Sequence, residues 1–363
     1  MPFRHRLSSL RSRRRQGQQR VPGRFTAALG WAAVAVGLSS CDLADLVPQP
    51  DPDAPEPVEV KLSAAASNYP LAYLTETIGG GMVKVWFVVP NNVDPQFWQP
   101  SDEAIERMQQ ADLIVLNGAS YEKWRRQVTL PEARVIDTSA AFADELIEIP
   151  DAVTHSHGPH GTHTHAGTAT ITWLDFNQAR LQADAILADL VERLPADDFM
   201  LRRPHAEVSR ELESLDELML ALGQQLDGTP VLASHPVYHY LARRYHLNLR
   251  SVDWEPDEAP DEEQWAQLDG LLERHPAKVM LWERQPLVET FNALARRGVA
   301  VVVFNPVSNR PEHGDFLSIM RQNVAHFDLW WRLHGRAERD SGGSDDNAAD
   351  QPGAEPRPPD QGL

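Results

Sequence analysis

Short runs of β-branched and aromatic residues alternate with stretches of helical periodicity from residue 58 to residue 334. The runs that predict strands are 58–64, 83–89, 113–117, 134–137, 230–234, 249–252, 279–282 and 299–304. The stretches that predict helices are 69–78, 102–110, 262–274 and 288–297. Strands that alternate with helices in this way are typical of parallel sheets covered by helical crossovers. The pattern therefore predicts an α/β protein.

Two longer amphipathic helices are predicted between the two sets of strands. Apolar residues recur every three or four positions from Ala179 to Leu194, and again from Val208 to Leu226. A long helix between two α/β lobes is a stiff connection; the alternative is that both helices pack on one lobe. We predict two lobes, 58–197 and 229–334, each with a parallel-type sheet flanked by helices. A rigid linking helix over 198–228 joins them.

The first forty residues are typical of an export signal. Eight Arg between Arg4 and Arg24 precede an apolar stretch that ends in the sequence LSSC at 38–41. This ending resembles a lipobox, where a lipoprotein leader is cleaved before a lipidated Cys, and Cys41 is the single Cys of the chain. We predict a signal peptide over 1–40 and a lipid anchor at Cys41. Asp42 favours retention at the inner membrane, on its periplasmic side.

Composition separates the two ends of the chain from its middle. Residues 41–57 and 335–363 are rich in Pro and acidic residues and poor in apolar ones, which predicts a disordered tether and a disordered acidic tail. Residues 1–40 hold eight of the 34 basic residues and none of the 52 acidic ones, so the remainder carries a formal charge of −26. Such a surface repels nucleic acid. We expect a monomer with no nucleic-acid partner.

One segment has five His in eleven residues, set among Gly, Ser and Thr. Its histidines are His155, His157, His160, His163 and His165. Neutral imidazoles at such short spacing chelate Zn²⁺, Cu²⁺ or Ni²⁺, and they lose affinity below about pH 6.5, where His takes up a proton. The alternative is a solvated loop whose His content is accidental. We predict a flexible metal-collecting loop over 155–165.

Several short motifs follow one another in an order shared with a known family. They are Ser67-Asn68-Tyr69-Pro70-Leu71, Val89-Pro90 with Asp94-Pro95, Ala111-Asp112-Leu113-Ile114, Trp173-Leu174-Asp175, Ala233-Ser234-His235, Leu281-Trp282-Glu283-Arg284-Gln285 and Phe304-Asn305-Pro306. Together they resemble the ZnuA-like proteins, the zinc- and manganese-binding components of ABC importers. The resemblance covers about residues 58–330. It implies two α/β lobes bridged by a rigid helix, a metal at the lobe interface and an ABC permease as partner.

The resemblance also implies four metal-ligand positions, and this chain departs from the family at three of them. The family's first His is Gln96 here, its second His is Ile171, and its Asp is Asn305. Only the third, His235, is retained, while Glu283 stands at the family's acidic position as a supporting residue. Zinc in proteins is held by His, Cys and carboxylate ligands, and amide or alkyl side chains do not replace them well. We therefore predict a partly degenerate cleft site.

Zinc is the expected ion, with Mn²⁺, Cu²⁺ and Ni²⁺ left open. One further hypothesis is that His163 or His165 replaces the donor lost at Ile171. Two alternatives to a metal importer component remain: a binding protein for another small ligand in a cleft that includes Trp98, and a surface zinc buffer without a transporter. An enzyme is not expected, because the chain has no nucleophile elbow and no reactive Cys.

Overall fold

The computed structural model of the protein describes residues 58–91, 93–149, 154–157, 161–164 and 167–342. The predictions for the signal peptide, the lipidated Cys41, the tether, His160 and His165 lie outside these residues. Within the described part of the chain, no helix has both the length and the apolar character needed to cross a membrane.

The first lobe is built on a four-stranded parallel sheet with the strand order β2-β1-β3-β4. Its strands are β1 (Leu62–Ala66), β2 (Val83–Trp86), β3 (Leu113–Leu116) and β4 (Val135–Asp137). Its helices are α1 (Tyr69–Gly79), α2 (Asp102–Gln110) and α3 (Phe176–Arg193). All four residues of β3 are buried, as expected of a strand that is covered on both faces.

Helix α1 shows how the local sequence sets the ends of an element. The side chain of Asn68 accepts a hydrogen bond from the Leu71 N–H at 2.9 Å and so caps the first turn. Pro70 lies in that first turn, where its missing N–H leaves no intrahelical bond unmade. Gly80 follows the helix with a φ of +53°, a conformation that residues with a side chain rarely adopt. The predicted helix over 69–78 is confirmed to within one residue.

A helix of 29 residues, α4 (Asp198–Leu226), follows α3 after a short 3₁₀ turn. Its buried stripe packs against α1 and α3 and against the last helix of the protein. The stripe consists of Leu201, Val208, Leu212, Leu215, Met219, Leu222 and Leu226. Because α4 connects the two sheets, the predicted architecture of two α/β lobes joined by a long helix is confirmed.

The second lobe repeats the design of the first, with a parallel sheet in the order β10-β9-β11-β12. Its strands are β9 (Pro230–Ala233), β10 (Asn248–Ser251), β11 (Val279–Trp282) and β12 (Ala300–Val303). Its helices are α5 (His239–Arg244), α6 (Glu262–Arg274), α7 (Val288–Arg296) and α8 (Phe316–Gly342). Helix α6 has the predicted bounds, and Asp261 and Gln264 form a capping box at its start.

Two short antiparallel pairs lie between β4 and α3. Strand β5 (Glu148–Ile149) pairs with β8 (Gly167–Thr168), and between them β6 (Thr154–His157) pairs with β7 (Gly161–Thr164). The backbone register of the second pair places His155 opposite His163. The part of the His-rich segment that the structure describes is therefore a β-ribbon rather than an irregular loop.

Helix α8 corrects the prediction that the disordered tail begins at residue 335. The helix continues to Gly342, eight residues beyond the predicted end of the second lobe. Its packed portion includes the buried rings of Phe327 and Trp331. Once such packing has formed a helix, each further turn adds hydrogen bonds without a new nucleation cost, so a polar composition alone does not mark its end.

The lobes are fastened to each other and to α4 by an inter-lobe bracket of Asp175, Phe176, Asp216, Arg244 and Tyr245. Tyr245 Oη donates to Asp216 Oδ1 at 3.0 Å and accepts from the Phe176 N–H at 3.0 Å. Arg244 donates to both oxygens of Asp216, at 3.0 and 2.6 Å. Asp175, the N-cap of α3, lies 3.8 Å from Arg244. One hydroxyl thus connects the first lobe, the linking helix and the second lobe.

We expect Tyr245→Phe to lower the free energy of unfolding by about 1–3 kcal/mol, because it leaves the buried Phe176 N–H without its acceptor. Urea unfolding followed by circular dichroism measures the change. Tyr69→Phe is the matched control, since the structure shows no hydrogen bond for the Tyr69 hydroxyl among the described residues. Equal stability losses in the two variants would show that the bracket hydroxyl has no special role.

Candidate metal centre

The carboxyl ends of the parallel strands place the candidate ligands on one edge of each sheet, the edge at which α/β proteins commonly bind ligands. In the first lobe, Asp94 and Gln96 lie in the loop that follows β2. In the second lobe, His235 follows β9 and Glu283 follows β11. Asn305 follows β12 on the same edge.

Hydrogen bonds between the lobes hold these two edges together. Asn309 Nδ2 donates to the carbonyl oxygens of Pro90 and Val93, both at 2.7 Å. Trp173 Nε1 donates to the Pro306 carbonyl at 2.8 Å. The Asn309 bonds fasten the β2 loop of the first lobe to the β12 loop of the second, and the Trp173 bond fastens the segment before α3 to the same β12 loop. We use the name cleft for the region between the edges that contains Asp94, His235, Asp253, Glu255 and Glu283.

His235 is the imidazole of the cleft, and it is buried. Its Nδ1 lies 3.0 Å from Asp253 Oδ1. Burial lowers the pKa of His235, but the hydrogen bond with Asp253 and the charges of Glu283 and Glu255 outweigh it and raise the pKa to about 9. At neutral pH this side chain is therefore an imidazolium, and a metal ion that binds it must displace a proton.

The carboxylates around His235 carry the opposite charge and interact across the lobe interface. Burial raises the pKa of Glu283 to about 7, against the lowering effect of the His235 charge. Desolvation by the surrounding protein also raises the pKa of Asp94, while its hydrogen bond from the Gln96 N–H at 2.8 Å lowers it. Asp94 from the first lobe and Glu283 from the second thus act on the same imidazolium.

Asp253 and Glu255 belong to the cleft although the sequence analysis did not select them. Both follow β10, the edge strand of the second sheet, at its carboxyl end. The available signal was their position directly after a predicted strand of a parallel sheet. The pairing of Asp253 with His235 depends on the adjacent strands β9 and β10, which are fifteen or more residues apart in sequence.

The three residues that stand where the resemblance implies family ligands are engaged in protein contacts. Gln96 is buried, and its Oε1 accepts a hydrogen bond from the Thr170 hydroxyl at 2.9 Å. Ile171 is buried in the main hydrophobic core. Asn305 Oδ1 accepts a hydrogen bond from the Val307 N–H at 2.7 Å, which stabilises its own loop.

Among the described residues, no three His, Cys, Asp or Glu side chains lie close enough together to hold a metal ion. His235 and Glu283 therefore share a cleft without forming a complete coordination set with a third such residue in this arrangement. Of the His-rich segment, His155 and His157 lie on β6 and His163 lies on β7. Trp98, a candidate pocket residue, is instead buried against Trp124 in the core of the first lobe.

Two α/β lobes, a long helix between them and a cleft at their facing carboxyl edges define a two-lobed solute-binding protein. The family model described as ZnuA, zinc-uptake complex component A, periplasmic, matches residues 65–328. The chain therefore belongs to the ZnuA family of metal-binding components of ABC importers, as its motifs predict. Members of this family are transport components and not enzymes.

Individual relatives are distant but similar over most of the chain. The high-affinity zinc uptake system protein ZnuA of Bacillus subtilis is 25% identical over 284 residues, which cover 73% of this chain and 86% of that protein. The zinc-binding lipoprotein AdcA of Streptococcus pneumoniae is 24% identical over 277 residues, which cover 73% of this chain and 54% of the relative. The described lobes correspond to the part of AdcA that is shared.

Solved structures show the same fold. The metal-dependent lipoprotein YcdH of Bacillus subtilis superimposes with a TM-score of 0.63 at 22% identity, covering 74% of this chain and 98% of that one. The Zn(II)-bound ZnuA-like domain of Streptococcus pneumoniae AdcA gives the same TM-score at 20% identity, covering 74% and 98%. At this level of identity the likeness concerns the fold and not the ligands.

We expect Asp253→Asn to lower the pKa of His235 from about 9 towards its ordinary value, because the variant removes a charged hydrogen-bond partner. NMR titration of the His235 ring measures the pKa. A histidine whose pKa is higher in the folded than in the unfolded state stabilises the folded protein below about pH 6.5. This stabilisation is lost as the pH rises through 9. The variant should therefore lose less stability than the wild type between pH 6.5 and 9.5.

Glu255→Gln is the control for this prediction, since Glu255 acts on His235 through charge alone and is the last of the contributions. Its effect on the pKa of His235 should be smaller than that of Asp253→Asn. An unchanged pKa in Asp253→Asn would show that Asp253 does not hold the proton on His235.

Proposed function

We propose that the protein is an extracytoplasmic zinc-binding component of an ABC importer whose metal capture depends on the His-rich segment together with His235. Family membership supports the class of function. The protein's own residues support the two sources of donors. His235 is the imidazole that the described residues of the cleft contribute, while five histidines lie in the insertion between β5 and β8.

The observation that carries the proposal is that all three residues at the implied ligand positions are engaged in contacts within the protein. The side-chain oxygens of Gln96 and Asn305 accept hydrogen bonds from Thr170 and Val307, and Ile171 is part of the core. A metal ion bound in the cleft would therefore contact His235 and carboxylates, and it would need further donors. Imidazoles supplied by the insertion complete such a set, since His is a common ligand of Zn²⁺.

The β-ribbon supports a chelating role for the insertion. Its register places His155 opposite His163 on neighbouring strands, and directly opposite residues of an antiparallel pair have Cβ atoms about 5 Å apart. The proposal takes His155 and His163 as donors to one ion on the basis of this backbone register alone. Within this proposal, His163 or His165 also supplies the donor that the family places at Ile171.

The proposal also includes the lipid anchor and the ABC permease that the sequence predicts. Lipidation at Cys41 would anchor the protein to the periplasmic side of the cytoplasmic membrane, with residues 41–57 as the tether. An ABC permease would receive the metal from a monomeric binding protein. The zinc-binding lipoprotein AdcA supports this arrangement as a relative.

A second candidate function is a binding protein of the same fold that holds another small ligand. It is favoured by the finding that no three metal-binding side chains converge among the described residues. The cleft offers an imidazolium and several carboxylates, which suit a ligand with both positive and hydrogen-bonding groups. Metal titration separates this candidate from the first.

We expect the double variant His163→Ala/His165→Ala to lose the tightest zinc-binding event rather than only part of the capacity. His235→Gln should weaken the same event at least tenfold, because both sets of donors hold one ion. Competition with a chromophoric chelator on metal-stripped mature protein near neutral pH measures the affinity. His326→Ala is the matched control, since His326 is exposed on α8, outside the cleft and the His-rich segment.

Deletion of residues 155–165 sharpens the same experiment. Tight one-to-one binding that survives the deletion would contradict the shared site and assign the metal to the cleft alone. Weak binding of several ions that disappears with the deletion would identify a metal buffer. A wild-type protein that takes up no divalent transition ion at micromolar concentration would support the second candidate.

A further inference from the structure

Large apolar side chains are exposed together at one end of the first lobe. Phe199 is 80% exposed, Met200 is 59% exposed and Val58 is 56% exposed. They line a shallow groove of about 340 Å³ between the first turns of α4 and the segment before β2. We call Val58, Gly81, Met82, Phe199 and Met200 the amino-edge patch.

The chain enters the folded domain within this patch, and its entry point is fixed. Gly81 lies directly beneath Val58: a methyl group at Gly81 would come within 2.9 Å of Val58 Cβ. The Lys61 N–H donates to the Met82 carbonyl at 2.8 Å. Lys61 Nζ also pairs with Asp197 at 2.7 Å, immediately before the helix that carries Phe199.

The patch lies at the amino ends of the strands, away from the cleft. Lys61 immediately precedes β1, and Met82 immediately precedes β2. The cleft residue Asp94 follows the carboxyl end of β2, on the opposite edge of the same sheet. A surface that covers the patch therefore leaves the cleft open.

We propose that the amino-edge patch rests on the lipid surface of the membrane that carries the protein's anchor. This inference rests on the proposed lipidation of Cys41. Sixteen residues lie between Cys41 and Val58, and a fully extended chain from one to the other spans at most about 60 Å. The anchor thus keeps the patch within reach of the bilayer at all times, so that even a weak contact is formed repeatedly.

The apolar side chains of the patch are suited to contact with the apolar part of a lipid interface and not with charged headgroups. Aromatic and thioether side chains bury apolar area when they enter the headgroup region. The neighbouring arginines are compensated, because Arg202 pairs with Asp198 at 2.8 Å and Arg203 pairs with Glu207 at 3.4 Å. With a formal charge of −26 on the mature chain, anionic lipid should not strengthen the contact.

Photo-crosslinking from the membrane tests the proposal. The lipidated protein, expressed with its own leader, is reconstituted into phosphatidylcholine vesicles that contain a diazirine-bearing phospholipid. After irradiation, mass spectrometry locates the lipid adducts. We expect adducts on peptides with Phe199 and Met200 at no less than ten times the yield on Val288 and Leu333, which are 76% and 66% exposed in other places.

The variant Phe199→Ser/Met200→Ser should also reduce labelling of the Val58 peptide at least fivefold, while Val288→Ser should not. All three substitutions are on exposed side chains, and circular dichroism verifies the fold. Equal labelling of the three surfaces, or no labelling of the patch on vesicle-bound protein, overturns the inference.

A failure of the anchor gives a different result. Protein that does not float with the vesicles refutes lipidation at Cys41 and leaves the patch to be tested separately. The chain from Cys41 onward is then coupled through that single thiol to a maleimide phospholipid, and the irradiation is repeated. Adducts confined to the patch support the inference in this arm, and their absence there overturns it.

Discussion

The inter-lobe bracket holds two sheets in one orientation, and the cleft between them depends on that orientation. Each lobe alone presents only part of the charge set, with Asp94 on the first and His235 on the second. Asp216 accepts hydrogen bonds from Arg244 and Tyr245, and the Tyr245 hydroxyl accepts one from the first residue of α3. Charge-assisted hydrogen bonds of this kind are shorter and stronger than neutral ones. The connection is therefore stiff at the place where a hinge between the lobes would have to open.

The cleft is a charged pocket although His235 is the imidazole that its described residues contribute. Burial raises the pKa of Glu283 and of Asp94. The hydrogen bond with Asp253 and the charges of Glu283 and Glu255 raise the pKa of His235 to about 9 against the effect of its own burial. Charged groups with little access to water are costly unless they are paired. A divalent cation would neutralise carboxylates of the cleft that are otherwise neutralised by bound protons. A set rich in carboxylate favours harder ions than a set of three imidazoles does.

The sequence predicted the architecture well because local signals determine it. The cap and the prolines and glycines around α1, and the capping box of α6, lie within a few residues of the elements that they bound. The sequence also places Gln96, Ile171 and Asn305 at the positions where the resemblance implies metal ligands. The contacts of those residues could not be predicted, because the hydrogen bond between Gln96 and Thr170 joins positions 74 residues apart. The same limit concealed the pairing of His235 with Asp253 and the length of α8.

The parallel sheet of the first lobe places the cleft and the amino-edge patch on opposite edges, so the two surfaces use different residues. All strands of the first lobe run in one direction, so the loops that carry cleft residues lie on one edge, and the segments that begin the strands lie on the other. The chain enters at Val58, on the second edge. If the entry edge rests on a membrane, as we propose, Asp94 and the cleft loop on the opposite edge still face the solution from which a ligand arrives.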